Sequence, residues 1–331
     1  MQTIYVEKDI ICHPRTKRII ERFGNQAKII NCEHYGEVFN LKAQNFRLQK
    51  EKPALILAAK KNKLVLPTPE GFGVGSQDNF YFSHMYNCLY DCRYCFLQGM
   101  YPSAHYVLFI NYEDFMAEII QQAEKTTGDC YFFSGYDADS LAYEGVSGFL
   151  QTFLPFFAKQ PHRVKLECRS KSTNINAFLE HTPLSNVIIA FSFTPEAVSK
   201  EVEHKVPNLA KRIQALHTLA NLGWSIGLRF DPLIACQNFT KQYTDLVERI
   251  LTNLPRECIH SVSIGPLRFP IKMYQKIQSL YPKDKLLAEP FVKRGNVMSY
   301  REDIEERMKD IVKGLVIKHL EEEKIFQCYA N

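Results

Sequence analysis

No apolar run in the 331 residues approaches the length of about 20 that a helix needs to cross a bilayer. The opening segment MQTIYVEKDI carries an acid and a base where a signal peptide needs an apolar stretch, so a cytoplasmic location is expected. No internal repeat is evident. The glycine run GFGVG at 71–75 is not followed by Lys-Ser/Thr at a helix start, which argues against a phosphate-binding loop. Long disorder is also excluded: 46% of the residues are hydrophobic and 23% charged, enough apolar material for a large core. Ten cysteines in a reducing compartment do not make a disulfide framework. They are packing residues, metal ligands or reactive thiols, and three of them sit within eight residues of one another.

The net charge of +5 is unevenly spread. Lys42, Arg47, Lys50, Lys52, Lys60, Lys61 and Lys63 are accompanied by a single acid, Glu51. Such a stretch is either a phosphate-facing surface for a DNA substrate or the solvated face of an N-terminal domain.

The length fits one α/β barrel with an appendage. Residues 1–76 read as a small N-terminal α/β domain: HPRTKRIIERFG as a helix closed by Gly24, AKIINC as a strand, and LPTPEGFGVGSQDN as a linker. Residues 77–331 read as the barrel with a C-terminal helical extension. Strand patterns at 79–83, 130–135, 163–171, 186–193, 224–232 and 260–266 alternate with amphipathic helical stretches such as YEDFMAEIIQQAEK and LAKRIQALHTLANLG. Six strand–helix units imply parallel strands with helical crossovers.

At period two, one strand face is small or charged throughout. Lys165, Glu167, Arg169 and Lys171 oppose Val164, Leu166 and Cys168; Ala190 and Ser192 oppose Ile189 and Phe191. Ser225, Gly227, Arg229 and Asp231 oppose Ile226, Leu228 and Phe230, and Ser261 and Ser263 oppose Val262 and Ile264. A doubly wound sheet, covered on both faces, is apolar throughout. The expected fold is a partial (β/α)6 barrel of the TIM type with a polar lumen.

The segment HMYNCLYDCRYCFLQGMY sets Cys88, Cys92 and Cys95 as Cys-x3-Cys-x2-Cys after the first barrel strand. Thiolates bind iron and zinc, and three of them leave one coordination position open, as a reactive metal centre requires. The alternative is a structural Cys3His zinc site completed by His84 in a nucleic-acid-binding protein.

This motif, with Tyr94 and Phe96 flanking the third cysteine, resembles the radical SAM superfamily. The resemblance implies a [4Fe–4S] cluster on the three cysteines, whose open iron chelates S-adenosylmethionine. Reductive cleavage of that cofactor then yields a 5′-deoxyadenosyl radical that abstracts hydrogen from a substrate. It also implies an electron donor, a reductase or a flavodoxin-type protein. Within the superfamily the chain is similar to the spore photoproduct lyase family over most of its length, through CRYCFLQG, SGYDADSLA, RSKS, FSF, GLRFDPLI and SIGPLRF. Carried over, Lys171 and Ser192 contact the cofactor's polar groups, and the backbone at Ser134 and Gly135 approaches its methionine amino group. Arg229, Asp231 and Arg268 are expected nearest the substrate, with Lys293, Arg294 and Tyr300 gripping a DNA backbone.

Two departures stand out. The family places a hydrogen-donating cysteine where this chain has Gly135, and a tyrosine where it has Phe96. Ser134 is no substitute, because its O–H bond is much stronger than S–H. Cys130 and Cys168 are read as core residues. Tyr94, Tyr131 and Tyr136 remain as radical partners.

Overall fold

A computed structural model describes residues 1–69 and 71–328. The six expected strands form at Asp78–Phe82, Cys130–Ser134, Val164–Ser170, Val187–Ser192, Ser225–Leu233 and Ile259–Pro266. They pair in parallel and in chain order. Val65–Pro67 adds antiparallel to the first strand and Ile325–Gln327 adds parallel to the sixth, so the sheet has eight strands and open edges. In a flat sheet the second and sixth strands would lie about 19 Å apart, four spacings of about 4.8 Å. Yet the Tyr131 hydroxyl lies 3.1 Å from Nε2 of His260, across the lumen from the second strand to the sixth. The sheet is therefore curled into a partial barrel.

The period-two reading of the two faces holds for the residues it named on the third to sixth strands, but the inward face is not polar throughout, since Tyr81, Tyr131, Phe133 and Ile188 also turn inward. Outward residues Phe82, Phe132, Leu166, Ile189, Leu228 and Val262 share one apolar core with the surrounding helices, among them Tyr112–Glu124, Phe149–Phe157, Leu209–Asn221 and Phe239–Leu251. Each fully buried Phe or Leu contributes about 1.5–3 kcal/mol there. Phe82 stacks on Phe153 at 5.4 Å, and Phe153 meets Phe149 at 4.4 Å. Cys130 and Cys168 belong to this outer core. Inward, Glu167 receives Arg229 at 2.6 Å and Arg169 at 3.1 Å.

The stretch read as a linker does more than connect. Val74 is buried against the inward-facing Tyr131, Phe133 and Ile188, forming an apolar plug in the lumen. The Ser76 hydroxyl donates to the Asp129 carbonyl at 2.5 Å. Gly75 has φ +72°, and a Cβ there would sit 2.5 Å from the Tyr131 hydroxyl oxygen, so only glycine allows this passage.

The N-terminal segment forms the expected helix, Pro14–Phe23, capped by Gly24, and the expected strand, Lys28–Cys32. Its sheet is not finished at residue 76. Thr3–Glu7 and Leu55–Ala58 are joined by Tyr106–Phe109 and Met85–Tyr86 from either side of the cysteine loop. The loop is thus anchored in both sheets. No helix among the described residues is long and apolar enough to cross a membrane.

Candidate functional site

The C-terminal ends of the barrel strands open into a cavity of about 450 Å³. Cys88, Cys92 and Cys95 line it, and so do Ser134, Gly135, Lys171, Ser192, Asp231 and Arg268. Residues spread over some 180 positions of sequence thus meet around one space, because parallel strands all deliver their C-terminal loops to the same end.

The cysteine loop is held from several directions. Asp91–Cys92 pairs antiparallel with Glu203–His204, which follow the fourth barrel strand, and the Arg93 N–H donates to the Val202 carbonyl at 2.8 Å. The Asn87 side-chain amide spans the loop's other end, donating to the carbonyls of Ser103 at 2.8 Å and His105 at 2.7 Å. The Tyr90 N–H donates to the Cys88 sulfur at 3.4 Å. Below, the Lys50 ammonium hydrogen-bonds both Asp91 and Gln98, and Gln98 donates to the Cys92 carbonyl at 3.3 Å.

Glu203 organises the packing behind the cysteine loop. It is buried, yet it accepts from the Tyr94 hydroxyl, from Ser199 at 2.6 Å and from Arg212 at 2.7 Å. Burial alone would raise its carboxyl, but Arg212 and Lys171 outweigh that and hold it below the ordinary range. Arg212 also donates to the Ser192 carbonyl at 3.0 Å. One ion pair therefore ties the cysteine loop to the fourth strand. Neither residue stands out in the sequence, since both lie in ordinary helical surroundings and meet only in the folded chain.

Lys171 is half-buried with its ammonium 5.4 Å from the centre of the Tyr94 ring. It forms no salt bridge with Glu167 or Asp231; its electrostatic neighbours are Cys92 and Glu203. The Lys171 N–H donates to Asp139 at 2.7 Å, and Asp139 also accepts from Ser170 at 2.7 Å and from the N–H groups of Leu141 and Ala142. That carboxylate fixes the loop after the second strand against the end of the third. Within that loop Gly135 has φ +84°, and a Cβ would lie 2.4 Å from the Ser140 hydroxyl oxygen and 2.9 Å from the Arg169 carbonyl. The absence of a thiol at this position is built into the backbone and its neighbours.

Arg229 is not where the sequence reading puts it. Its guanidinium is fully buried below the cavity, donating to Glu167 at 3.1 and 2.6 Å and to the Ser261 hydroxyl and carbonyl at 3.0 and 3.1 Å. It shares a strand face with Asp231 but lies one inward position deeper, where the lumen is closed. Asp231 and Arg268 do reach the cavity and pair at 3.2 Å. Burial would raise the Asp231 carboxyl, but Arg268 and Arg169 hold it low. Arg268 also lies over the Phe72 ring at 4.6 Å.

Part of the basic stretch is likewise occupied. Lys60 is buried against the rings of Tyr86, Phe109 and Phe115, and burial lowers its ammonium to about 8. Lys50 pairs with Asp91 and Lys61 with Asp9. Lys42, Arg47, Lys52 and Lys63 remain exposed. Of the C-terminal residues, Tyr300 is buried and Arg294 pairs with Glu305 and Glu302, while Lys293 is exposed.

Three free thiols on one loop suit a cluster whose separate irons each take one thiolate. Among the described residues, no three His, Cys, Asp or Glu side chains converge tightly enough for a single metal ion. His84, the fourth ligand of the zinc alternative, is turned away. Its ring stacks on Phe149 at 4.1 Å with 8° between planes, and burial pushes it down to about 3. The Cys3His site is therefore not formed.

A family model for spore photoproduct lyase matches residues 1–327. Spore photoproduct lyases of Clostridium acetobutylicum and Bacillus subtilis are each 23% identical, over 289 and 297 residues, covering 86% of this chain and 83% of theirs. A solved structure of a mutant spore photoproduct lyase with bound AdoMet and dinucleoside spore photoproduct superposes with a TM-score of 0.82 at 16% identity, covering 100% of this chain and 98% of that one. The chain belongs to the spore photoproduct lyase family.

Proposed function

We propose that this protein is a radical SAM lyase that acts on a thymine photolesion of the spore photoproduct type in DNA. The observation that carries the reading is the single cavity in which Cys88, Cys92 and Cys95 face Lys171 and Ser192 while Asp231 and Arg268 form the far wall. Cys88, Cys92 and Cys95 would hold a [4Fe–4S] cluster; Lys171, Ser192 and the backbone at Ser134–Gly135 would hold S-adenosylmethionine. Bound together, these groups supply a 5′-deoxyadenosyl radical on one-electron reduction by a flavodoxin-type donor or reductase.

The chain's own part is placement. Lys171 presents a cation to a carboxylate, and Asp139 keeps the Lys171 backbone in place through the 2.7 Å hydrogen bond. Glu203 and Arg212 hold the Tyr94 ring and the Ser192 carbonyl in fixed relation to the cysteine loop. Arg268, steadied by Asp231, gives the substrate side a guanidinium suited to a phosphodiester. Lys42, Arg47, Lys52 and Lys63, exposed on the N-terminal segment, provide positive charge for a DNA backbone.

The test uses protein reconstituted with iron and sulfide, reduced, and given S-adenosylmethionine and dinucleoside spore photoproduct. Conversion to the undamaged thymidine dinucleoside, followed by chromatography and mass spectrometry, is expected. Lys171→Ala should retain its iron and lose at least about ten-fold in conversion, the loss of one charge-assisted contact worth about 1.5–3 kcal/mol. An intact lesion alongside vigorous 5′-deoxyadenosine formation would remove the photolesion as substrate.

A further inference from the structure

A family member without the donor cysteine and its partner tyrosine still has to return a hydrogen atom to its product. The geometry around Gly135 and Phe96 converges on one phenol. Tyr136 lines the cavity, directly follows Gly135, and has its ring centre 6.0 Å from that of Phe96. Its other neighbour is Tyr81, inward-facing on the first barrel strand, stacked at 4.2 Å with 25° between planes. The Tyr136 hydroxyl makes no hydrogen bond among the described residues. The other two candidate phenols are engaged. Tyr94 donates to Glu203, and Tyr131 lies in the apolar plug with its hydroxyl 3.1 Å from His260.

We propose that Tyr136 is the hydrogen-atom donor of this protein, with Tyr81 stacked behind it as the second residue over which the radical is shared. This deepens the lyase reading and rests on it. The carbon-centred radical left after lesion opening takes the phenolic hydrogen of Tyr136: the O–H bond breaks homolytically, a C–H bond forms, and Tyr136 becomes a neutral tyrosyl radical. Tyr81 can pass its own phenolic hydrogen to Tyr136, moving the radical to Tyr81. One electron from the flavodoxin-type donor that also reduces the cluster, together with one solvent proton, restores the phenol. A phenolic O–H is comparable in strength to S–H and far weaker than the aliphatic O–H of Ser134, so the transfer is feasible from tyrosine and not from serine. Burial and the neighbouring Tyr81 hold the Tyr136 phenol up at about 12, so it carries its hydrogen at neutral pH.

Tyr136→Phe deletes a hydroxyl that makes no hydrogen bond among the described residues, so the variant should fold as the parent does. Two measurements test the assignment. In the first, reconstituted protein is frozen rapidly after reduction with S-adenosylmethionine and no substrate, so that the 5′-deoxyadenosyl radical takes the phenolic hydrogen of Tyr136 itself and becomes 5′-deoxyadenosine, and the sample is examined by electron paramagnetic resonance. A tyrosyl signal that narrows with ring-deuterated tyrosine is expected in the parent and absent in Tyr136→Phe. In the second, dinucleoside spore photoproduct is converted in D2O. The parent should place one solvent-derived deuterium in the product, and Tyr136→Phe should lose at least about ten-fold in product while still forming 5′-deoxyadenosine. No tyrosyl signal in the parent, a signal unchanged in the variant, or equal product and deuterium yield would each overturn the proposal. Failure of the parent to convert the lesion would strike the substrate reading instead, while the first measurement still decides on Tyr136.

Discussion

Alanine in place of Cys92 is expected to leave a folded protein that binds at most a tenth of the parent's iron and forms no measurable 5′-deoxyadenosine. The folding half of this expectation follows from how the loop is held. Cys92 pairs with Glu203 through its backbone, its carbonyl accepts from Gln98, and Asn87 pins the opposite end of the loop. None of these contacts uses the thiol. Losing one buried sulfur should cost about 1 kcal/mol, the ordinary size of a point-mutant effect. The iron half follows from the donor set. Neither His84, stacked in the core, nor Cys130 and Cys168, which face the outer core, can replace the lost thiolate. Iron analysis and chromatography of reduced samples check both halves, with circular dichroism to confirm the fold.

Arg229→Met should produce the largest loss of stability, about 3–5 kcal/mol. The Arg229 guanidinium and the Glu167 carboxylate are both fully buried and joined by two hydrogen bonds. Methionine fills similar volume but leaves Glu167 with Arg169 alone, and breaking a buried pair from one side strands a charge. Typical folding free energies are about 5–15 kcal/mol, so much of the total would go. The double variant Arg229→Met with Glu167→Leu should recover most of the loss, because no unpaired carboxylate remains. Urea denaturation monitored by circular dichroism measures this. An unchanged midpoint in the single variant would show that the pair does not support the lumen. Since Arg229 does not line the cavity, the folded fraction of the single variant should still retain iron.

The barrel was legible because its signals are local. The third to sixth strands each carry their alternation within six to nine residues, and the inward face of Glu167, Arg169, Ser192 and Asp231 could be read from parity alone. Parity does not report depth. Arg229 and Asp231 share a face two residues apart, yet one is sealed against Glu167 and Ser261 and the other reaches the cavity. The cysteine spacing was equally plain, but its supports were not. Glu203, Arg212 and Lys50 act on the loop from far along the chain, and nothing in their local patterns distinguishes them from surface charges. For the same reason Lys50 and Lys60 looked like parts of a phosphate-binding stretch until their partners in the fold were visible. The loop at 71–77 misled through composition: Gly and Pro mark a break in regular structure, and here the break crosses the lumen, where Gly75 must pass close to Tyr131.

What the unmodified protein does with S-adenosylmethionine is the most direct test of a radical site on Cys88, Cys92 and Cys95. Purified without oxygen, it should be brown, carry about four irons per chain after reconstitution, and release 5′-deoxyadenosine and methionine when reduced. A colourless protein with a single zinc and no cofactor cleavage would contradict such a site.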